Sequence, residues 1–401
     1  LLKALRKPQF RLLWGGQAIS ALGDSSYQLA LNWLIATQFG TAQTMAIVQM
    51  ASALPTAITR PLSGTLIDRW TPKFMLTFSN TAMTILMAIF AVVSLHSQHF
   101  LVIITLIALF GVFSSNIEPA FFTSIPETMN NKDLESANSA IVFLYSLTGM
   151  IGPVLGAALI TLMGNSSSFW FDSGTFLLAA LTTIVIKYKH RSQEHPKVEK
   201  NLRMKDSWLW ILKNPWAVRV HVTEAMANLL LGLFWAGFPI ALRTGANAHI
   251  LSFGGGYTLI YAGATLTSLF SGKYLKRIND KGLIAYLSIS GLAIAISLSV
   301  AGKTAWMLYP SAFAIGILLP WFNLISHQSL QESAPREMLG RITSVGSLLT
   351  TVMRFLGYFL VAVFNQDVLF TFATSGIIVL LMIGFVVFRR RSLMNDVAAS
   401  L

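Results

Sequence analysis

The sequence predicts an all-α membrane protein of twelve transmembrane helices arranged as two pseudo-symmetric six-helix bundles. Three observations predict it. Of 401 residues, 54% are hydrophobic and 11% charged, against about 25% charged in an ordinary soluble domain. Apolar runs recur along the whole length, each long enough at about 1.5 Å per residue to cross about 30 Å of hydrocarbon. The Lys and Arg residues collect in alternate connections between those runs. This composition excludes a disordered chain and an ordinary water-soluble enzyme.

The first span lies near 10–37, too long for a signal-peptide core and without a clear cleavage site before a soluble region. Leu1 in place of Met gives the expectation that the natural start has been trimmed. Five further spans lie near 43–67, 73–95, 100–122, 135–162 and 167–186. Six more follow near 216–242, 250–272, 282–301, 304–325, 338–363 and 366–388.

Twenty-nine Lys and Arg stand against sixteen Asp and Glu, a net charge of +13. That excess could suggest nucleic acid, but the basic residues never form a domain of their own, so they read as topology signals. All but four fall on one side of the spans; Arg243 and Lys303 lie on the other, and Arg60 and Arg354 sit inside spans. Both termini are therefore expected in the cytoplasm. The long polar stretch Lys187 to Arg219 divides the chain into residues 1–186, a linker over 187–215, and residues 216–401. Within it Leu202, Trp208, Ile211 and Leu212 fall near one helical face, with Arg203, Lys205 and Lys213 available to headgroups. A helix lying on the membrane surface fits that pattern, the alternative being a solvated basic loop.

An internal repeat joins the two halves. A shift of 205 residues lays Glu127, Leu134, Ser139 and Gly152 on Glu332, Leu339, Ser344 and Gly357, and a shift of 208 lays Gly64 on Gly272. Two halves of like orientation, with a substrate cavity between them, are the simplest reading.

The segment after span two reads Gly64-Thr-Leu-Ile-Asp68-Arg69-Trp-Thr-Pro-Lys73. Here Gly64 allows close helix approach, Asp68 can accept from a facing helix N-terminus, and Arg69 and Lys73 can hold carboxylates. The segment closely resembles the Gly-x-Leu-Ala-Asp-Arg-x-Gly-Arg-Lys signature of the major facilitator superfamily. Pro72, after Thr71, replaces the second glycine and stiffens the turn. The resemblance implies a cytoplasmic latch between the halves, facing Glu118 at the end of span four and Arg341 at the start of span eleven.

Span one opens Phe10-Arg-Leu-Leu-Trp14-Gly-Gly16-Gln17 and continues through Ser20 to Gly23-Asp24; the tenth-to-eleventh connection runs from Gln331-Glu332 to Leu339-Gly340-Arg341. With the latch, these look like the macrolide-efflux and siderophore-exporter branch of drug:proton antiporters, found in the bacterial cytoplasmic (inner) membrane. Gly149, Gly152, Pro153 and Gly156 in span five are similar to the antiporter motif, with the first glycine one position out of register. The same glycines would equally serve as a stripe for close packing.

Ionisable groups cost about 2.5–3.5 kcal/mol each in a span, which makes each a functional candidate. Asp24 has Gln17 and Gln28 on its helix face, a polar stripe that Asn32 continues. It reads as a proton or substrate site, or as a structural partner of Arg354. Glu224 on span seven, with Asn228 one turn on, reads as a proton-coupling group, a cytoplasmic gate or an interfacial carboxylate. Asp172 in span six suggests a capping or backbone-bonding role near the outer end, in preference to transport. Arg354 cannot lose its charge and must find a carboxylate, carbonyls, water or an anionic substrate; the favoured role is a charge switch with Asp24 or Glu224. Arg60 is expected to pair with Glu118. Trp235, Tyr257 and Tyr261 would suit an amphiphilic aromatic or cationic substrate, or else pack against lipid or core.

No phosphate-binding glycine loop, nucleophile elbow or metal-ligand spacing is present, and there is no cysteine. Neither an enzyme nor a cofactor or metal is expected, and the partners are a small-molecule substrate, protons and the lipid bilayer, without nucleic acid, around a monomer. The resulting expectation is proton-coupled export of amphiphilic small molecules by alternating access. The alternatives are export of an anionic siderophore or metabolite bound by Arg354, a receptor or scaffold that does not transport, and more remotely a lipid-modifying enzyme.

Overall fold

The structure, a computed structural model, describes residues 2–96, 100–129, 133–187, 204–245, 247–274, 281–301, 304–335 and 338–364. Among them every regular element is helical. A short helix α1 (Leu2–Leu5) precedes α2 (Pro8–Gln38), α3 (Ala42–Trp70) and α4 (Pro72–His96). Then come α5 (Phe100–Ser114), α6 (Ile117–Thr128), α7 (Leu134–Met163) and α8 (Ser167–Val185). After the linker lie α9 (Met204–Lys213), α10 (Pro215–Ile240) with a π-helical turn Ala241–Gly245, α11 (Ile250–Tyr274), α12 (Lys281–Ala301), α13 (Ala305–Ser333) and α14 (Leu339–Val363). These helices overlie the predicted segments from 10–37 to 338–363; the segment 366–388 lies outside the described residues. Seven described stretches are long and apolar enough to cross a membrane.

Local chemistry sets the helix ends. Pro8, Pro72 and Pro215 occupy first positions, where a missing N–H costs nothing. The Thr41 hydroxyl accepts from the Thr44 amide at 3.2 Å to cap α3. Gly164, at φ +89°, ends α7. The turn from α3 to α4 is different: its pivot is Thr71 at φ +78°, a β-branched residue where glycine is favoured.

The predicted fourth span is broken at Ser115–Asn116, because Pro119 has no N–H for the Ser115 carbonyl. Hydroxyls on one face of α3 repair the break: Thr56 donates to Gly111 O at 3.1 Å, Thr59 to Ser115 Oγ at 2.8 Å, and Ser63 to Ser115 O at 3.3 Å. In lipid such repair has to come from within the protein.

The described residues divide into two compact units. One comprises those within Leu1–Glu194 and Ala248–Thr258, the other those within His195–Asn247 and Leu259–Leu401. The start of α11, up to Thr258, belongs to the first unit, where Gly254 packs so tightly that a Cβ would lie 2.9 Å from Ala157 Cβ and 3.0 Å from Pro153 O.

In the first unit, segments predicted to be cytoplasmic meet one another. Lys7 pairs with Asp133 at 3.7 Å, the Lys187 amide donates to Gln9 Oε1 at 2.9 Å, and the Ala4 amide donates to Ser136 Oγ at 3.2 Å. In the second unit α9 docks by Ser207 and Ile211, both buried, and Ile211 packs with Ala217, Leu330, Ile342 and Val345. Only Trp208 and Leu212 of the described apolar face stay exposed. Ile211 thus leaves the lipid-facing stripe expected of it, drawn in by the apolar starts of α10 and α14; Leu202 lies outside the described residues.

Close helix crossings recur at glycines in each unit. A Cβ on Gly111 would lie 2.6 Å from Ser52 O, and one on Gly316 2.0 Å from Ile260 O. On Gly152 it would lie 2.2 Å from Ser25 Cβ, and on Gly357 2.4 Å from Leu229 O. The positions in each pair are 205 residues apart, the offset of the sequence repeat. Gly357→Ala is expected to lower stability by about 1–3 kcal/mol through overpacking, read as a lower thermal unfolding midpoint in detergent. Thr71→Gly should act in the opposite direction by about 1 kcal/mol; an unchanged or lower midpoint would contradict the strain assigned to that turn.

Candidate functional site

Each unit gathers its own set of ionisable and polar side chains. In the first, Asp24 on α2 is half-buried, and its Oδ1 is buried without a hydrogen-bond partner. Asp172 on α8 is fully buried against the same stretch of α2: a Cβ on Gly23 would lie 2.4 Å from its Oδ1. Thr175 donates to that Oδ1 at 3.2 Å, whereas Oδ2 has no partner. Asp172 therefore does not cap a helix end as expected; the cap position of α8 is Ser166. The absence of a side chain at Gly23 lets α8 close on α2 and brings the second carboxyl beside Asp24, near enough for the two to interact electrostatically.

The other polar groups of α2 separate by burial. Gln17 is buried and Gln28 exposed, while Asn32, 1% exposed, donates through Nδ2 to the Tyr257 hydroxyl at 3.0 Å. Two candidate cavity residues thus meet as a buried pair, with Tyr257 further held beside Phe253 at 5.5 Å between ring centres. Gly152 and Gly156 face Ser25 and Ser26 of α2 across a tight crossing, and the Pro153 carbonyl faces Gly254. Tyr261 is exposed on α11, and Trp235 lies against Phe234 at 5.0 Å.

In the second unit a cavity of about 240 Å³ opens between α10, α13 and α14. His221, Glu224 and Asn228 line it from α10, Asn323 and Leu330 from α13, and Thr343, Gly346, Ser347, Thr350 and Arg354 from α14. Helical spacing explains the convergence: 221, 224 and 228 share one face of α10, and 343, 347, 350 and 354 share one face of α14. Arg354 donates through Nε to Asn228 Oδ1 at 3.1 Å and through Nη2 to the same oxygen. Asn228 Nδ2 in turn donates to the Glu224 carbonyl at 2.8 Å. The guanidinium so tied to the Glu224 turn of α10 is met by a neutral oxygen. His221 Nδ1 lies 3.6 Å from Glu224 Oε2.

His221, Asn323 and the hydroxyls of α14 are the polar cavity residues that the sequence reading missed. The i, i+3, i+7 spacing of 221, 224 and 228 was the available signal; a search for metal-ligand spacing among histidines passes over it.

At the latch, Arg60 and Glu118 form the expected ion pair. Lys73 Nζ donates to the carbonyls of Ile184 at 2.7 Å and Ile186 at 2.8 Å, capping the C-terminus of α8. Arg69 is exposed; the side chains of Asp68 and Arg341, and the surroundings of Gly64, lie outside what is described. Among the described residues no three His, Asp or Glu gather to hold a metal ion.

The sequence profile described as Major Facilitator Superfamily matches residues 13–358. Macrolide efflux protein A of Streptococcus pyogenes is 23% identical over 385 residues, covering 90% of each chain. Multidrug efflux pump Tap of Mycolicibacterium fortuitum is 22% identical over 385 residues, covering 86% of each. Among solved structures, nucleoside transporter NupG superposes with a TM-score of 0.72 at 12% identity, over 95% of this chain and 99% of that one. A bacterial homologue of the iron transporter ferroportin, in an inward-facing state, gives 0.70 at 14% identity, over 95% and 97%. With most of its length matched, and with membrane helices that carry ionisable groups into buried positions, the chain is a membrane transporter and not an enzyme, and it belongs to the Major Facilitator Superfamily.

Proposed function

We propose that the chain exports amphiphilic small molecules in exchange for protons, by alternating access between two six-helix halves, 1–186 and 216–401, joined by the linker 187–215. The observation that carries this reading is the pair of separate ionisable clusters, Asp24 with Asp172 and Glu224 with Arg354. Each has carboxyl oxygens buried without a partner. A carboxyl so placed is costly to leave charged, which suits a group that takes up and releases protons. The efflux proteins that match over most of their length support export as the direction. Glycine crossings at an offset of 205 residues support twelve spans in two halves. The meeting of Lys7 with Asp133, and of Gln9 with Lys187, supports one common side for these segments, and their excess of Lys and Arg supports the cytoplasmic side of a bacterial inner membrane. The working unit is a monomer, and in its cycle protonation of Asp24 or Glu224 weakens the hold on a cationic or polar substrate group. The latch of Gly64, Asp68, Arg69, Lys73, Glu118 and Arg341 biases which side is open.

One observation favours a second reading. Arg354 faces the cavity with only the neutral Asn228 oxygen bonded to it among the described contacts, an arrangement that also suits an anionic substrate such as a siderophore or metabolite.

In proteoliposomes with an imposed pH gradient and a panel of macrolides, dyes and siderophores, Asp24→Asn and Glu224→Gln should each reduce gradient-driven transport at least about tenfold. That factor corresponds to about 1.4 kcal/mol. Full transport by both variants would remove the coupling role from these carboxyls. Arg354→Lys, Arg354→Gln and Arg354→Ala separate the two substrate readings: lost substrate binding points to an anion, whereas retained binding with lost pH dependence points to a charge switch.

A further inference from the structure

The cavity of the second unit contains a histidine to which the transport reading gives no role. His221 is 4% exposed, and among the described residues neither ring nitrogen has a hydrogen-bond partner. Its Nδ1 stands 3.6 Å from Oε2 of Glu224, one turn on along α10, and Oε1 of that carboxyl is also buried without a partner. A buried imidazole held for structural reasons gives its N–H to a carbonyl or carboxylate and keeps one tautomer. Here both nitrogens stay open beside a carboxyl, on the wall of a cavity. Gly346 makes the room for the ring: a Cβ there would lie 2.7 Å from Cε1 and 2.8 Å from Nδ1. The other charged group lining the cavity is Arg354 on α14. Among the described residues only Asn323 and Leu330 come from α13, and α9 and α12 contribute no lining residue.

We propose that His221 and Glu224 form a one-proton site, with the imidazole carrying the transported proton and the carboxylate serving as its fixed counter-charge. The proposal rests on the proton-coupled reading above and, in the second unit, moves the proton from the Glu224 carboxyl to the imidazole beside it. With the proton on, imidazolium and carboxylate sum to zero. When the proton leaves a ring nitrogen for cavity water, the pair carries one negative charge. A cationic substrate group competes with Arg354 for that charge only in the deprotonated state, so proton loading and cation binding exclude each other at one cavity.

The test uses the full chain labelled with ¹⁵N-histidine in lipid nanodiscs. The His221 signal is identified by its loss in His221→Asn or, should that variant not fold, by its displacement in Gly346→Ala, which keeps both ionisable groups but pushes the ring. The signal should change between the protonated and neutral imidazole forms as the pH is varied, with a midpoint that Glu224→Gln displaces. One unchanging form from about pH 5 to 9, or a midpoint indifferent to Glu224→Gln, overturns the proposal. In proteoliposomes with ethidium as the cation probe, Gly346→Ala should lower the ratio of pH-gradient-driven uptake to equilibrium exchange at least about threefold. An unchanged ratio in that variant removes the carrier role while leaving coupled transport intact. Titration of His221 in a parent chain that shows no gradient-driven uptake of any probe overturns the transport reading itself, and the carrier role with it.

Discussion

Lipid offers a polar group no hydrogen bond, and that constraint governs both how this chain packs and where it can act. A freed backbone carbonyl has to be answered by the protein, as Ser63 answers Ser115 where Pro119 interrupts the helix. The Thr and Ser hydroxyls that make long helices such as α4 less apolar mostly fold back onto carbonyls one turn earlier, as Thr81 does on Thr77. Once those needs are met, the ionisable groups that keep a buried atom without a hydrogen-bond partner stand out. Among the described residues they fall at Asp24, Asp172, His221 and Glu224.

Close approach of helices is the second consequence. Hydrophobic burial drives helices together only weakly when the solvent is itself apolar, so packing depends on small residues that let backbones touch. Gly111 and Gly152 do this in the first unit and Gly316 and Gly357 in the second, at matching offsets. The same device shapes chemistry. Gly23 admits the Asp172 carboxyl against α2, and Gly346 admits the His221 ring beside Glu224. At each of these sites a glycine determines the surroundings of an acid on the neighbouring helix.

Most of the helices were legible in the sequence because hydropathy and charge signal the membrane strongly over twenty or more residues. Details that hinge on one atom were not. The break at Ser115 depends on a single missing N–H at Pro119, which hydropathy averages away. The bonds from Lys73 to the end of α8 were not legible, because sequence shows its charge but not the open carbonyls there. Ile211 shares a helical face with Trp208 and Leu212, yet it turns into the protein, because the surface presented by Ala217, Ile342 and Val345 is not encoded in α9. The ionisable residues were visible as intrusions into apolar runs. Their grouping was visible only in part: Glu224 and Asn228 share a helix face, whereas Asp172 and Asp24 are joined by a crossing that periodicity does not report.

The magnitudes favour charge change over simple occupancy as the source of a conformational drive. A charged side chain in a span costs about 2.5–3.5 kcal/mol, and each 1.4 kcal/mol is about a factor of ten in an equilibrium. Gaining or losing a single charge in such a place can therefore change the ratio of two conformations by about a hundredfold. That is less than the roughly ten-thousandfold change needed to take an equilibrium from one state almost wholly to the other. Two charge changes, one in each unit, close that gap. A chain that keeps one ionisable cluster in its first unit and another in its second has the number of charge-bearing sites that such a switch requires.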